Sequence, residues 1–331
     1  MDASEPLRWG IMGTGGIAGA MVDALHAIGA PVVAVGSASP ERSISFAAER
    51  GVERAVDTHA AVAELDSVDI VYVGTTNELH HRNALDAIAG GKHVLCEKPL
   101  ALNADQAREM FSAAAGAGVL LMEAMWMRFC PFIDTLDELI GSGVIGEVTD
   151  VEAMFGFVAP AGGRWTDRNR GGGALLDLGV YPLSLTHHLL GSPMLGSHTA
   201  FEAIARVEDG VDVDTRVVSH HVGGSVAYHG ATLLADAANE AVVAGPDGRL
   251  RIHAPFHHTS TITLERGAEV LETYDTSFKG HGFQFEVAEM QRCVASGLTE
   301  SPIRPAADTL AVMEWMDAIR ARVGVVFPQE L

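Results

Sequence analysis

The stretch LRWGIMGTGGIAGAMVDALHAI, residues 7–28, decides the fold of the first part of the chain. Its apolar beginning, residues 7–13, is typical of a buried β-strand, and residues 16–28 continue with a helical pattern. The turn between them, GTGGIA at residues 13–18, fits the pattern G-x-G-x-x-[GA]. A strand, a glycine turn and a helix in this order predict a site for the pyrophosphate of a dinucleotide.

Each residue type in the turn suits that ligand. Gly13 permits the tight turn, Gly15 lets the backbone approach the pyrophosphate, and Ala18 keeps the helix close to the sheet. Gly16 and Ile17 open the helix, whose N-terminus faces the anion. The alternative is an ordinary glycine-rich turn, but the position between a strand and a helix favours the nucleotide site.

The same alternation continues along the first third of the chain. Further strand-like runs begin at Pro31, Asp69, His93 and Val119. Helical patterns separate them, at residues 41–50, 78–89 and 105–115. Continuous Val- and Ile-rich runs separated by helices indicate a parallel sheet covered on both faces. We therefore predict an α/β Rossmann domain with a doubly wound parallel sheet at residues 1–124.

The pattern then changes to one that is typical of antiparallel structure. Residues 147–158 are predicted to form a long strand, and residues 199–276 contain several strand-like runs separated by turn signals. Helical patterns at residues 283–296 and 306–323 close the chain. We predict an α+β second domain, residues 125–331, with a large, mainly antiparallel open sheet.

Composition excludes several classes of function. The 331 residues carry a formal net charge of −21, which argues against a nucleic-acid partner because phosphate binding needs a basic surface. Cys96, Cys130 and Cys293 are far apart, so neither a disulfide framework nor a zinc site is predicted, as in a reducing cytosol. Residues 1–10 do not resemble a signal peptide, and the apolar run at residues 119–127 is too short for a bilayer. We expect a cytoplasmic protein without a membrane partner.

The end of the second strand bears on the choice of cofactor. An NAD enzyme usually has an acidic residue there, to hold the ribose 2′-hydroxyl. This chain has hydroxyl side chains from Ser37 onward and then Arg42, which would tolerate a 2′-phosphate. NADP is therefore favoured over NAD. The alternative is that Arg42 merely begins a solvated helix.

Two further segments contain candidate catalytic residues. Glu97 and Lys98, followed by a proline, stand at the carboxyl end of a predicted parallel strand, where open α/β sheets bind ligands. In GGGALLDLGVYP, residues 171–182, Asp177 and Tyr181 are four apart on a predicted helix and would share one face. A tyrosine beside a lysine ammonium loses its proton more easily and can act as an acid or base. The alternatives are an exposed Glu97–Lys98 pair and a core tyrosine.

The glycine turn, the Glu-Lys-Pro tripeptide and GGGALLDLGVYP, in this order, resemble the glucose–fructose oxidoreductase, inositol dehydrogenase and rhizopine-catabolism family (Gfo/Idh/MocA). MEAMWMRFCP at residues 122–131 and GLTESP at residues 297–302 extend the resemblance. Many branches have histidine where this chain has Tyr181. The tyrosine resembles the branch of dimeric dihydrodiol dehydrogenases and NADP-dependent D-xylose dehydrogenases. Ala38 departs from that branch, which often has arginine there.

The resemblance implies a Rossmann domain and an open-sheet domain that often mediates dimerisation, so a homodimer or homotetramer is expected. It implies that Lys98 and Tyr181 act on a substrate hydroxyl with Asp177 nearby. The predicted cofactor contacts after the glycine turn are Ser37, Arg42, Thr75, Asn77, His80, Glu97 and Lys98. The implied substrate contacts are Trp126, Arg128, Phe155 and Tyr181.

The predicted activity is hydride transfer between NAD(P) and a hydroxyl of a sugar, polyol or trans-dihydrodiol, or the reverse reduction of a carbonyl. Two alternatives are redox-neutral glycoside cleavage with bound NAD, and a non-catalytic nucleotide- or sugar-sensing regulator. The presence of both Lys98 and Tyr181 argues against the regulator. No metal is predicted, because adjacent histidines diverge and make poor chelates. The pairs concerned are 80–81, 187–188, 220–221 and 257–258.

Overall fold

The computed structural model describes residues 6–193, 195 and 200–331. The chain divides into two compact units, Met1–Trp126 with Gly280–Leu310, and Met127–Lys279 with Ala311–Leu331. The division after Trp126 lies close to the predicted domain boundary after residue 124. Residues 1–5 of the predicted first domain lie outside the described range. Residues 280–310, predicted within the second domain, group with the first unit. The reason is tertiary, since the helix from Phe283 packs against the helix from Gly16.

The first unit contains the predicted parallel sheet. Its strand order is β3-β2-β1-β4-β5-β6, and every pairing is parallel. The residues of its two central strands, β1 and β4, are all buried, which is typical of a sheet covered on both faces. The predicted fold class is confirmed. The strands are β1 Trp9–Met12, β2 Val32–Gly36, β3 Ala55–Val56, β4 Ile70–Val73, β5 His93–Glu97 and β6 Leu121–Ala124.

Helices connect these strands. The prediction omitted β3 and the short helix that follows it, because elements of two and five residues are too short to produce a periodic signal. It also began the last strand two residues early, at Val119, since Val119 and Leu120 are buried like strand residues. The helices are α1 Gly16–Ala27, α2 Pro40–Arg50, α3 His59–Ala63, α4 Asn77–Ala89, α5 Ala104–Ala117 and, later in the chain, α8 Phe283–Ala295.

The second unit contains an eight-stranded sheet in the order β14-β13-β12-β11-β7-β10-β9-β8. All pairings are antiparallel except that of β7 with β10. This confirms the mainly antiparallel open sheet. The strands are β7 Asp150–Gly156, β8 Phe201–Glu208, β9 Val211–His220, β10 Val226–Thr232, β11 Ala241–Gly245, β12 Gly248–Ile252, β13 Thr261–Arg266 and β14 Glu269–Asp275.

Helices cover one face of this sheet. Helix α6, Pro131–Gly141, which the prediction omitted, packs against β13, and α7, Val180–Leu190, packs against β7 and β10. A π-helical turn, Leu175–Gly179, precedes α7 where a plain α-helix was predicted. Helix α9, Ala306–Val323, closes the chain at the predicted residues. Within the described ranges, no helix combines the length and the apolar composition that crossing a bilayer requires.

Candidate active site

The glycine turn after β1 is shaped for a close backbone approach. Gly13 has a φ of +114°, and a Cβ atom there would lie 2.5 Å from the carbonyl oxygen of Gly74. Only glycine fits this conformation and this contact. By contrast, Cβ atoms built on Gly15 and Gly16 would meet no atom within 4 Å. The first glycine is therefore required by the fold, whereas the next two leave open space above the turn.

The N-terminus of α1 borders that open space. Its N-cap residue, Gly15, offers no side-chain hydrogen bond, and the first turn contains no acidic residue. Gly16 and Ile17 are exposed, and the buried hydroxyl of Thr14 has no hydrogen-bond partner. An uncapped helix N-terminus attracts anions through its backbone N–H groups and its dipole. These residues fit the phosphates of a dinucleotide, which they would hold beside the sheet edge.

At the end of β2 the hydroxyl side chains are used within the protein. The buried Ser37 hydroxyl donates to the carbonyl oxygen of Ser39 at 2.8 Å and lies 3.0 Å from the Ser43 hydroxyl. Ser39 caps α2 by accepting the backbone N–H of Arg42 at 3.3 Å. The hydroxyl groups of Ser37 and Ser39 therefore already have hydrogen-bond partners within the protein.

The basic groups at this corner remain available to a ligand. The side chain of Arg42 is exposed at the start of α2. The pKa of His59, at the start of α3, is lowered first by burial and then by the positive charge of Arg42, which places the two groups in electrostatic contact. His59 was not among the predicted site residues, because α3 itself was not predicted. A phosphate group would relieve this repulsion between like charges.

Glu97 fixes the backbone of Lys98 at the carboxyl end of β5. Its buried carboxylate accepts the Tyr72 hydroxyl at 2.6 Å and the backbone N–H of Lys98 at 3.2 Å. Burial and then the charge of Glu97 raise the pKa of Tyr72 well above its usual value, so the phenol stays protonated and donates. Lys98 itself is half-buried, and its bond to Pro99 is cis. Glu97 is therefore a buried anchor for the backbone of this turn.

The start of α4 is tied to the same turn. The Nδ1 atom of His80 lies 2.9 Å from the carbonyl oxygen of Pro99, and its Nε2 atom lies 3.3 Å from that of Thr75. Asn83 donates to the Thr75 hydroxyl at 3.1 Å, and Asn77 is buried at the beginning of the helix. Because parallel strands end at one edge of a sheet, the predicted cofactor residues Thr75, Asn77, His80 and Lys98 occupy the edge that also bears the glycine turn.

Of the predicted substrate residues, Trp126 belongs to the first unit. Its ring lies 4.9 Å from that of Phe283, centroid to centroid, at the start of α8. Phe283 was not predicted, since more than 150 residues separate the two in the chain. Arg128 follows in the second unit, where it is 6% exposed.

In the second unit, the π-helical turn and α7 position Asp177 and Tyr181. Asp177 is 4% exposed, and its two carboxylate oxygens accept hydrogen bonds from Arg164 at 3.0 and 3.4 Å. Arg164 also lies over the ring of Trp165, 5.0 Å from its centroid. The segment that contains Arg164, GGRWTDRNRGGG at residues 162–173, is polar with two glycine clusters, a composition typical of a surface loop. The ion pair joins that loop to a predicted catalytic residue.

Aromatic rings surround Tyr181, which is 5% exposed. The ring of Phe155 lies 5.5 Å from it in an edge-on arrangement, and that of His257 lies 5.0 Å away. Phe155 and His257 stack on each other at 4.6 Å. The structure thus brings the predicted Phe155 and Tyr181 together. It adds His257, which the sequence analysis mentioned only as a member of a histidine pair that was not predicted to bind metal.

A buried carboxyl group supports the π-helical turn from β9. Asp212 accepts the backbone N–H of Leu175 and the hydroxyl of Thr215, both at 2.7 Å. Gly173, at a φ of +146°, is required beside it, because a Cβ atom there would collide with the Asp212 carboxylate. Burial raises the pKa of Asp212 to about 6, although the hydrogen bonds from Thr215 and Leu175 act to lower it.

The histidine pairs do not form a metal centre in the part of the chain that the structure describes. There, no group of three or more His, Cys, Asp or Glu side chains is arranged to hold a metal ion. The members of one pair bond in different directions, His187 with Ser192 and His188 with Asp137. On this dinucleotide-binding fold, the predicted acid or base is a buried tyrosine packed against the rings of Phe155 and His257.

Comparisons with known proteins show an oxidoreductase family. Residues 7–125 match the family described as "Oxidoreductase family, NAD-binding Rossmann fold", and residues 133–251 match "GFO/IDH/MocA C-terminal domain". The trans-1,2-dihydrobenzene-1,2-diol dehydrogenases of Mus musculus and Danio rerio are each 32% identical to the chain. Each alignment covers 98% of this chain and 99% of the relative.

Solved structures of oxidoreductases are also similar to this chain. A 3-ketoreductase from Actinomadura kijaniata, in complex with NADP and TDP-benzene, superposes with a TM-score of 0.86 at 30% identity, over 96% of this chain and 98% of the ketoreductase. Its tyrosine-to-phenylalanine and lysine-to-alanine variants have also been solved. An aldose–aldose oxidoreductase from Caulobacter crescentus shares the fold, with a TM-score of 0.85 at 24% identity, over 97% of this chain and 98% of its own.

Proposed function

We propose, on the premise that this chain belongs to the GFO/IDH/MocA family of oxidoreductases, that it is an NADP-preferring dehydrogenase or reductase of sugars, polyols or trans-dihydrodiols. It acts on a CH–OH group or on the corresponding carbonyl. The observation that carries the proposal is the anchoring of Lys98. Its backbone is held by Glu97 at the sheet edge that also bears an open, uncapped glycine turn.

The nicotinamide ring, when bound, supplies or accepts the hydride. Tyr181 is the proposed acid or base, which takes the hydroxyl proton in oxidation and returns it in reduction. The ammonium of Lys98 lowers the pKa of the phenol and hydrogen-bonds the substrate oxygen. Asp177, held in place by Arg164, orients the reacting hydroxyl. The aromatic rings of Phe155 and His257 support the phenol from the side.

The preference for NADP is supported by charge at the end of β2. Arg42 and His59 lie in electrostatic contact there, and Ala38 stands exposed between the strand and α2. Between the end of β2 and Glu41 there is no acidic side chain, and the Glu41 carboxylate accepts the Ser39 hydroxyl. A 2′-phosphate would meet the guanidinium of Arg42 at this corner, and the similar ketoreductase was solved with NADP.

The substrate class is supported by the relatives and by the aromatic setting of Tyr181. The curated relatives are named for a cyclic trans-diol, and the similar ketoreductase for a keto group. Rings beside the acid or base suit a cyclic substrate with an apolar face. Trp126, Arg128 and Phe155 are the remaining proposed substrate contacts.

Assembly through the open sheet, as a homodimer or homotetramer, is the proposed quaternary state. Tyr228 on β10 is 47% exposed and Ile204 on β8 is 71% exposed, and their register places both on the same face of the sheet. Apolar side chains on a flat sheet face are typical of a homodimer interface. A cytoplasmic location is proposed from the three buried free cysteines and the acidic composition.

The proposal is tested by following the absorbance of the reduced nicotinamide. NADP⁺ and NAD⁺ are supplied separately with D-xylose, D-glucose, myo-inositol and trans-dihydrodiols, and the reverse reaction is assayed with the matching ketones. Turnover with one compound and NADP⁺ supports the reaction class and the cofactor together. Substrate conversion without any net absorbance change would indicate redox-neutral chemistry instead. Cofactor binding with no conversion at all would favour a sensing role.

A further inference from the structure

The last residues of the chain, 324–331, form a C-terminal segment that is fixed on helix α9. Its first two backbone N–H groups donate to the carbonyl oxygen of Arg320, at 2.9 and 3.0 Å. The buried Arg320 side chain donates to both carboxylate oxygens of Glu330, each at 2.8 Å. Its guanidinium also lies over the ring of Phe327, 4.8 Å from the centroid, and that ring is fully buried. A two-bond ion pair and a buried ring therefore hold the segment in one place.

The C-terminal segment in turn holds the loop of residues 162–173. The guanidinium of Arg168 donates two N–H groups, from Nε and Nη2, to the carbonyl oxygen of Val326, at 2.9 and 2.7 Å. The side-chain amide of Gln329 donates to the carbonyl oxygen of Asn169 at 2.6 Å. Because the guanidinium is charged, its bonds to the carbonyl are stronger than those between neutral groups. The end of the chain is thus joined to the middle of the loop.

Close backbone contacts connect Arg168 to Arg164 within this loop. Two consecutive 3₁₀ turns begin at Arg164 and Arg168 and meet at Asp167, whose N–H donates to the carbonyl oxygen of Arg164 at 3.3 Å. The N–H of Gly172 donates to the carbonyl oxygen of Asp167 at 3.0 Å, and a Cβ atom there would lie 2.8 Å from that of Arg164. Turns packed this closely move together, so a shift of Arg168 is transmitted to Arg164 and to its two bonds with Asp177.

We propose that the C-terminal segment is a positioning element of the active site, which through Arg168 keeps Arg164 aligned on Asp177. Two side chains are its positioning residues, since Glu330 fixes the segment on α9 and Arg168 fixes the loop on the segment. Without these bonds Arg164 would sample more orientations, and fewer molecules would have the Asp177 carboxylate in place at any moment. The consequence for turnover rests on the function proposed above, whereas the order of the loop does not.

The first test measures hydrogen exchange of the loop, without cofactor or substrate. Arg168→Met is the variant, because methionine retains the unbranched stem that lies against Gly210 and removes both N–H donors. Backbone exchange of peptides from residues 163–173 should become about fivefold faster or more. Arg170→Met, which loses only a surface ion pair in the same loop, should exchange like wild type. Equal exchange in Arg168→Met and wild type would overturn the proposal, whether or not the enzyme is active.

The second test asks whether Glu330 acts on the loop through Arg168. Glu330→Gln keeps the shape of the side chain but removes the charge that pairs with Arg320, so exchange of the loop should again become faster. The effect of the double variant with Arg168→Met should fall short of the product of the two single effects, since both changes weaken one connection. Leu331→Ser, at a position that is 92% exposed, is the control. Independent, fully multiplicative effects would contradict a single connecting segment.

The third test compares kcat with cofactor binding. In Arg168→Met, kcat should fall about three- to tenfold while the Kd for NADPH and the urea midpoint of unfolding stay unchanged. Arg168→Lys should recover part of the loss, because an ammonium can still donate one hydrogen bond to the Val326 carbonyl. Faster loop exchange with unchanged kcat would overturn the positioning role. Absence of turnover in the wild type would refute the proposed function alone, because exchange of the loop decides the role of the C-terminal segment by itself.

Discussion

Arg164 binds both carboxylate oxygens of Asp177, at 3.0 and 3.4 Å, and so connects a loop to the turn that precedes Tyr181. The pair is unequal, because the side chain of Asp177 is 5% exposed and that of Arg164 is 38% exposed. The carboxylate is therefore the more buried member of the pair. The loop of residues 162–173 thus supplies a cation to a proposed catalytic residue.

Replacement of Arg164 should impair catalysis more than folding. Breaking a fully buried ion pair destabilises a fold by about 3–5 kcal/mol, and the partial exposure of Arg164 keeps the loss of stability in Arg164→Ala below that range. The change also removes both hydrogen bonds that orient the Asp177 carboxylate, so we expect kcat/KM to fall about ten- to a hundredfold. Arg164→Lys should recover only part of the loss, because one ammonium cannot copy two parallel hydrogen bonds. Steady-state kinetics on the identified substrate measures the effect. Arg170→Ala, an exposed change in the same loop, serves as the control, and equal losses in both variants would contradict a specific role for Arg164.

Lys98→Met should abolish turnover while sparing cofactor binding. The side chain is proposed to act on the substrate oxygen and on the phenol of Tyr181, so a decrease in kcat of about a thousandfold is expected. The Glu97 contact to the Lys98 backbone N–H survives the substitution, so the local fold should persist. Fluorescence titration with NADPH checks binding, and Lys279→Met, at an exposed position, is the matched control. Near-normal turnover in Lys98→Met would refute the assignment.

Asp212→Asn should flatten the dependence of stability on pH between about 4 and 6. Because burial raises the pKa of Asp212 from 3.8 to about 6, the folded state holds its proton after the unfolded state has released it. The stability of the wild type therefore falls as pH rises through this window, by up to about 1.4 kcal/mol per pH unit. The asparagine variant lacks this contribution. Urea unfolding at a series of pH values measures it, with the exposed Asp247→Asn as control. Identical slopes for Asp212→Asn and wild type would show that the carboxyl is already ionised throughout.

Arg42→Ala should weaken NADPH binding and leave NADH binding unchanged. A charge-assisted hydrogen bond contributes about 1.5–3 kcal/mol, which corresponds to a ten- to hundredfold change in Kd. Ala38→Asp should shift the preference further toward NADH, because a carboxylate there would repel a 2′-phosphate and accept from a 2′-hydroxyl. Fluorescence titration with both cofactors measures the ratio. Arg54→Ala, another exposed arginine in the first unit, is the control. Equal weakening toward both cofactors would exclude a role in selecting the 2′-phosphate.

Tyr228→Arg should dissociate an assembly that forms through the open sheet. A cation at the centre of an apolar interface would have to lose its hydration in both copies at once. Light scattering after gel filtration should show a decrease to the mass of one chain. Val222→Arg, 77% exposed in the turn between β9 and β10 and therefore outside the face, should leave the mass unchanged. An unchanged mass in Tyr228→Arg would place the interface elsewhere.

The local patterns were enough to predict much of the first unit. The order of strands and helices, the glycine turn and the position of Lys98 at a strand end all depend on residues close together in the chain. Hydrophobic periodicity reports such short-range order directly. The same holds for the antiparallel character of the second sheet, since its hairpins join neighbouring strands. The π-helical turn at Leu175–Gly179 escaped prediction, because one extra residue in a helical turn leaves the apolar pattern nearly unchanged.

Long-range contacts decided the rest. Arg164 and Asp177 are separated by a glycine-rich turn whose path no periodic signal describes, and His257 reaches Tyr181 only through the sheet that both residues contact. Glu286 illustrates the limit most clearly. In the sequence it is one acidic residue of helix α8, whereas in the fold its carboxyl oxygens are buried without a hydrogen-bond partner, and burial raises its pKa well above the usual value. Sequence fixes which groups can ionise, but the free energy of ionising them depends on burial and on neighbours, and only tertiary structure brings those neighbours together.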